Sequence, residues 1–153
     1  MYKELINDFM NKVSSLNVAI IGETIVDEFI DVSYEGQSMK SVCPVLKLGT
    51  DKLIQEGGTA AICGHIKPFV SNVDLITNTK NEIVKTRYID YNNKKHIEIN
   101  TFKKFIKKFD IDCSKYDLVI VADFGHGFLD NIKLSGEFSL MCQTNSNNFG
   151  FNR

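Results

Sequence analysis

The sequence predicts an α/β protein built on a parallel, doubly wound β-sheet. Short continuous apolar runs, typical of strands buried on both faces of such a sheet, occur at residues 18–21 and 118–122, and residues 73–77 predict another short buried strand that includes Asp74. Apolar residues at helical spacing predict an amphipathic helix over residues 2–14, and the small residues after a glycine pair predict another over residues 59–66. Apolar strands that alternate with helices favour the doubly wound, Rossmann-like class.

Strands of a second kind lie between these buried runs. Residues 26–32 alternate between apolar and polar side chains, and residues 42–48 form another strand-like run after a polar loop. Residues 82–90 and 96–99 predict a strand pair around the turn at residues 91–94. This alternation indicates strands that are half exposed, in contrast to the buried strands of the parallel sheet.

Aromatic residues near the middle of the chain recur at helical spacing. Phe102, Phe105, Ile106 and Phe109 predict an amphipathic helix, and four lysines fill its opposite face. These lysines form either a solvated basic face or a contact surface for phosphate or nucleic acid.

The composition narrows the class of protein. The chain has 153 residues, a formal net charge of −1 and a pI near 6.3, so no overall field favours nucleic acid or a membrane surface. Its four cysteines are far apart in sequence, and we interpret them as small buried hydrophobes rather than metal ligands. No secretory signal and no apolar run of about 18 residues is visible, so the cytoplasm is the expected location.

Three sharp turns at predicted strand ends or helix starts carry the candidate chemistry. They are the segment from Gly22 to Asp27, the pair Gly57 and Gly58, and the segment from Asp123 to Gly127. In open α/β sheets, ligands bind outside the carboxyl ends of the strands. A carboxylate accepts hydrogen bonds from sugar hydroxyls, and glycine lets the main chain approach a ligand closely.

Four segments in order carry a family resemblance. Residues 17–27, 55–61, 83–88 and 116–128 resemble the opening Gly-Asp strand, the Gly-Gly-Ala-Ala-Asn segment, the Lys-x-Arg strand and the Asp-Tyr-Gly-Lys-Gly segment of PfkB-family, ribokinase-type carbohydrate kinases. The last two are similar to the heptose-phosphate kinase branch. The resemblance covers roughly residues 17–130, and it implies a ribokinase-like fold.

The resemblance implies transfer of a phosphoryl group from ATP, with Mg²⁺, to a hydroxyl of a sugar or sugar phosphate. It places the strands at roughly 26–48 and 82–99 in a small β lid over the sugar. Lys85 and Arg87 meet a substrate phosphate in this interpretation, or form an exposed cross-strand charge pair. The full set of implied substrate-binding residues is Asp27, Gly57, Gly58, Lys85, Arg87, Asp123 and Gly125.

The chain also departs from the family pattern. Glu23, Ala61 and His126 stand where the family has Asp, Asn and Lys, and the stretch from Thr77 to Glu82 is short by about one helix and one strand. The family's catalytic Gly-Ala-Gly-Asp segment does not occur, so we assign no catalytic residue. We therefore expect a single partial kinase domain over residues 1–153, truncated before its C-terminal half, without the ATP and Mg²⁺ site and inactive alone.

Two other functions remain open. The chain is a non-catalytic sugar-phosphate-binding module or half of a split kinase, acting as a homodimer or with a separate C-terminal half. Alternatively it is a nucleotide-binding Rossmann domain unrelated to the kinases, although residues 22–27 lack the G-x-G-x-x-G glycines that admit a pyrophosphate.

Overall fold

The fold is seen in a computed structural model that describes residues 2–103, 105 and 108–143. The helices and strands, in chain order, are α1 (Tyr2–Ser14), β1 (Asn17–Gly22), β2 (Thr24–Gln37), β3 (Pro44–Gly58), α2 (Thr59–Ile66), β4 (Asn72–Thr77), β5 (Ile83–Ile89), β6 (Lys95–Phe102), β7 (Phe109–Asp112), β8 (Leu118–Asp123), β9 (Ile132–Ser135) and β10 (Ser139–Cys142). Three short 3₁₀ turns complete the described elements.

The central sheet has the strand order β10-β8-β1-β4, and all its pairings are parallel. The four consecutive residues from Val18 to Ile21 are fully buried, because β1 lies between two neighbours and is covered on both faces. Ala19 and Ile21 pack into a cluster with Val119 and Val121 of β8, against the small parallel sheet formed by β7 and β9. The α/β class is confirmed, and strands form at all three predicted places. The prediction that residues 73–77 are a buried strand is wrong in its burial, because β4 lies at the edge of the sheet and none of its residues is buried.

A second sheet has the order β3-β2-β5-β6. Its β2–β3 and β5–β6 pairs are antiparallel, whereas β5 lies parallel to β2. The strand pair around residues 91–94 is confirmed. The polar loop predicted between residues 32 and 42 is shorter than expected, because β2 continues to Gln37 and β3 begins at Pro44. At its other end β3 extends beyond the predicted residue 48, to Gly58. Antiparallel hydrogen bonds between β2 and β3 hold the two strands together where their side chains are polar and exposed. These parts of the strands therefore form without an apolar sequence pattern.

Both predicted helices at residues 2–14 and 59–66 are confirmed. Helix α2 packs against β1, β3 and β4, but α1 buries none of its side chains. Leu5, Ile6 and Phe9 are more than half exposed, so the apolar stripe of α1 faces away from the described core. Neither described helix is long and apolar enough to cross a membrane.

The helix predicted over residues 102–109 is wrong at both of its ends. Phe102 closes β6 and Phe109 opens β7, while Lys104, Ile106 and Lys107 lie outside the described residues. Tertiary contacts explain the aromatic spacing, because Phe105 and Phe109 both pack on Phe128. The interpretation of all four cysteines as buried is also wrong, since Cys43 is exposed, although Cys113 is buried.

Candidate functional site

Glu23 follows β1 directly and holds the loop that follows β8. Its side chain is fully buried, and its carboxylate accepts hydrogen bonds from the backbone N–H groups of Phe124 at 2.7 Å, His126 at 3.1 Å and Phe128 at 3.3 Å. Burial raises the pKa of Glu23, and the neighbouring charge of Asp123 adds to this, against the lowering effect of the three N–H donors. Glu23 therefore fixes the shape of the loop over residues 124–128.

Asp123 is the last residue of β8 and is only 2% exposed. One carboxylate oxygen accepts the N–H of Gly125 at 2.8 Å, and the other lies 3.9 Å from the Cys142 thiol. Gly125 has a φ of 77°, which favours glycine at this turn. The structure thus gives Asp123 and Gly125 a local role in shaping the turn at the end of β8.

The glycine pair at the end of β3 serves two different purposes. At Gly58 the φ is +63°, and a Cβ would lie 2.3 Å from the carbonyl oxygen of Glu23, so the backbone is packed too closely for a side chain. At Gly57 a Cβ would lie 2.8 Å from Oδ2 of Asp27. The absence of a side chain at residue 57 therefore leaves space beside the Asp27 carboxylate.

Asp27 lies on β2 and forms part of a charge network across the second sheet. Arg87 of β5 donates through Nη1 to Asp27 and through Nε to Glu98 of β6 at 3.1 Å. Its guanidinium also lies over the Phe29 ring, 5.4 Å from the centroid. Hydrogen bonding from Lys95, with further help from Asn100 and Arg87, lowers the pKa of Glu98 to about 2. Arg87 is thus engaged by two carboxylates, in a half-buried form of the cross-strand charge pair.

Lys85 shares a sheet face with Asp27, because the two residues are paired in the β2–β5 register. It is half-buried and forms no ion pair with the described residues. Phe102 of β6 pairs with Ile83, which lies two residues before Lys85 on β5, so Phe102 is on the same face of the sheet as Lys85. The ring centroid of Phe102 lies 5.0 Å from that of His126. This contact joins the second sheet to the loop held by Glu23.

His126 occupies the junction between the two sheets. Burial, followed by the positive charge of Lys85, lowers its pKa to about 4. Its Nδ1 atom is buried without a hydrogen-bond partner. The imidazole is therefore neutral at neutral pH.

A groove of about 370 Å³ continues along the Asp27 face of the second sheet. Phe29 and Asp31 follow Asp27 at two-residue spacing, so the three side chains point to the same side of β2. The volume is in the range of small-molecule sites. The groove is lined by Phe29, Asp31, Asp51, Leu53, Gln55, Ile89 and Asn93.

The structure brings Asp27, Gly57, Lys85 and Arg87 to one face of the second sheet. Gly58, Asp123 and Gly125 lie instead in the tightly packed connections at the strand ends of the central sheet. Glu98, Phe102 and the loop-holding role of Glu23 were not predicted from the sequence.

The signal for Glu98 was present in the sequence, in the turn at residues 91–94. A hairpin centred on that turn pairs residues equidistant from it, which sets Arg87 opposite Glu98. No comparable signal marked Glu23, whose partners are backbone groups about 100 residues away.

The loop after β8 does not offer its backbone N–H groups to the phosphates of ATP. A triphosphate needs free backbone N–H groups or several cations, but the N–H groups of residues 124, 125, 126 and 128 already donate to Glu23 or Asp123. No group of three potential metal ligands occurs in the part of the chain that the structure describes.

Solved structures that are similar to this chain are carbohydrate kinases. One is a carbohydrate kinase from Agrobacterium tumefaciens, with 9% identity, 69% of this chain and 45% of that chain covered, and a TM-score of 0.40. A ribokinase from Cryptococcus neoformans in complex with ADP has 10% identity, coverage of 71% and 41%, and a TM-score of 0.38. A microbiome-derived acarbose kinase has 9% identity, coverage of 76% and 48%, and a TM-score of 0.38.

The chain spans less than half the length of these three structures. No family model matches the sequence, and no curated protein matches it.

Proposed function

We propose that this chain binds a sugar or sugar phosphate between the second sheet and the strand ends of β1 and β8, as the sugar-holding part of an ATP-dependent carbohydrate kinase. The observation that carries the proposal is the shared face of Asp27, Gly57 and Lys85, which the Phe102–His126 contact connects to the loop after β8. In this arrangement the second sheet acts as a lid over the sugar.

Each residue on this face has a chemical role in the proposal. The free oxygen of the Asp27 carboxylate lies beside the space left by Gly57, and it accepts a hydrogen bond from a sugar hydroxyl. Arg87 orients Asp27 through the bond to its other oxygen. The groove beyond Phe29 has room for a further part of the substrate.

Binding without catalysis is the second candidate function. It is favoured by the backbone N–H groups of the loop after β8, which are committed to Glu23 and Asp123 and so are not available to a nucleotide. A sugar-phosphate-binding module and the sugar-holding half of a split kinase both use the same face. They differ in whether a second chain supplies the nucleotide site.

The test is a binding screen of sugars and sugar phosphates by saturation-transfer NMR, combined with an ATP-consumption assay. Asp27→Asn is expected to weaken binding about 10-fold or more, because it removes a charge-assisted hydrogen bond. Glu28→Gln is the matched control: Glu28 is the next residue of β2, points to the opposite face and bonds Lys52 and Thr86. Equal loss in both variants, or no sugar binding by the folded wild type, would contradict the proposal.

The ATP assay separates the two candidate functions. We expect no turnover from this chain alone. Turnover that appears only after addition of a second chain favours the split kinase, and sugar binding with no turnover under any condition favours the binding module. Turnover by the isolated chain would contradict the expectation that this chain alone lacks a working nucleotide site.

A further inference from the structure

Lys85 carries a positive charge that the described residues leave unpaired. The carboxylates nearest to it in the second sheet are already engaged, since Asp27 and Glu98 both accept hydrogen bonds from Arg87, and Glu98 also binds Lys95. A half-buried ammonium without a counter-charge favours a negatively charged ligand.

His126 supplies a second donor next to this ammonium. Its Nδ1 atom is buried without a partner, and a buried N–H group that lacks an acceptor is rarer in proteins than an unfilled acceptor. The neutral ring therefore carries its proton on Nε2. Nε2 makes no hydrogen bond with the described residues, so its N–H is available to a ligand.

The two donors are held together by the fold. Phe102 is a diagonal cross-strand neighbour of Lys85, and its ring packs against the imidazole. Glu23 holds the backbone of the same residue by accepting a hydrogen bond from the N–H of His126. In this position the charge of Lys85 adds to burial in lowering the pKa of His126.

We propose that Lys85 and His126 form a two-donor subsite for the phosphate group of a phosphorylated sugar, with Lys85 as the charge and the Nε2–H of His126 as the orienting donor. This inference rests on the proposed function and assigns its substrate class to sugar phosphates. It also assigns the phosphate to His126 rather than to Arg87, which already has two carboxylate partners.

The bound anion also affects the protonation of His126. The charged groups that act on this ring are Lys85 and Asp123, and Glu23 contacts its backbone. A phosphate between Lys85 and His126 offsets the lysine charge and favours the imidazolium form. The pKa of His126 is therefore expected to rise from about 4 when phosphate is bound.

The test observes the three imidazoles by long-range ¹H–¹⁵N NMR during titration with inorganic phosphate at constant ionic strength, with chloride as the balancing anion. We expect the Nε2 signal of His126 to shift and its pKa to rise by about one unit or more. His65 and His96 serve as internal references. Lys85→Met is expected to weaken the phosphate effect about 10-fold, whereas Lys133→Met, which removes an exposed lysine of β9, is expected to leave it unchanged.

The outcomes separate this inference from the proposed function. The subsite is wrong if phosphate leaves the Nε2 signal of His126 unchanged or shifts the signals of all three histidines alike. It is also wrong if the two lysine variants weaken the response of His126 to phosphate equally. If sugars bind in an Asp27-dependent manner but phosphate does not affect His126, the proposed function stands and this inference falls. If His126 responds to phosphate but no sugar or sugar phosphate binds, the anion subsite stands and the sugar function falls.

Discussion

The carboxylates of the central sheet and those of the second sheet are stabilised by different means. Glu23 and Asp123, at the strand ends of the central sheet, are buried and accept hydrogen bonds chiefly from backbone N–H groups. Asp27 and Glu98, on the second sheet, are about a quarter exposed and accept hydrogen bonds from the side chains of arginine and lysine.

This difference separates positioning from recognition. A carboxylate whose oxygens are filled by its own backbone fixes a loop, and it has little capacity left for a ligand. A carboxylate held by a side chain on an open sheet face keeps a free oxygen, and its partner can move. The central sheet therefore shapes the proposed site, and the second sheet presents the groups to which we assign the substrate contacts.

The largest expected effect is the loss of Glu23. Glu23→Ala leaves three backbone N–H groups at the centre of the loop without acceptors, and it is expected to lower the free energy of unfolding by about 3–5 kcal/mol in urea denaturation. Glu82→Ala is the control, because Glu82 accepts one exposed backbone N–H, from Thr79, and its loss costs about 1 kcal/mol or less. Similar losses in the two variants would show that the Glu23 bonds do not hold the loop.

The close packing behind Glu23 provides the next test. Gly58→Ala places a Cβ 2.3 Å from the Glu23 carbonyl oxygen at a φ of +63°, and it is expected to cost about 2–3 kcal/mol. Gly36→Ala also has a positive φ, of +120°, but its Cβ would have no neighbour within 4 Å. It is expected to cost about 1 kcal/mol, from backbone strain alone. If thermal or urea denaturation gives equal losses, the contact with Glu23 contributes nothing beyond the backbone conformation.

The central sheet was predictable because local sequence determines it. Continuous apolar runs mark β1 and β8, and burial on both faces favours such runs. Strand β4 was predicted from a run that Asp74 interrupts, and as an edge strand it buries none of its residues. The hairpin around residues 91–94 was equally clear, and its symmetry even predicts the pairing of Arg87 with Glu98. Asp27 and Lys85 were predicted as substrate-binding residues, and the structure places both on one face.

The rest depends on contacts between distant residues. Phe102, Phe105 and Phe109 repeat at helical spacing, but two of them lie in different strands, because Phe128 and His126 supply packing partners that local sequence does not reveal. Strand β10 carries only four residues, and the parallel pairing with β8 makes it a strand. The role of Glu23 is hidden for the same reason, since it depends on the backbone of a loop far along the chain.

The smallest effect, and the sharpest contrast between the two sheets, is in the pH dependence of stability. The pKa of Glu23 is raised above 4.5, so the stability that wild type has relative to Glu23→Gln is present below pH 4.5 and falls as the pH rises through the raised value. The pKa of Glu98 is lowered to about 2, so the advantage of wild type over Glu98→Gln is present above pH 4.5 and is lost as the pH falls towards 2. The change at Glu98 is expected to be about 1 kcal/mol, because screening and the partial exposure of its carboxylate reduce the effect. Urea denaturation of the three proteins from pH 3 to pH 8 measures both slopes, and slopes of the same sign would mean that backbone N–H groups stabilise the Glu23 carboxylate more than burial destabilises it.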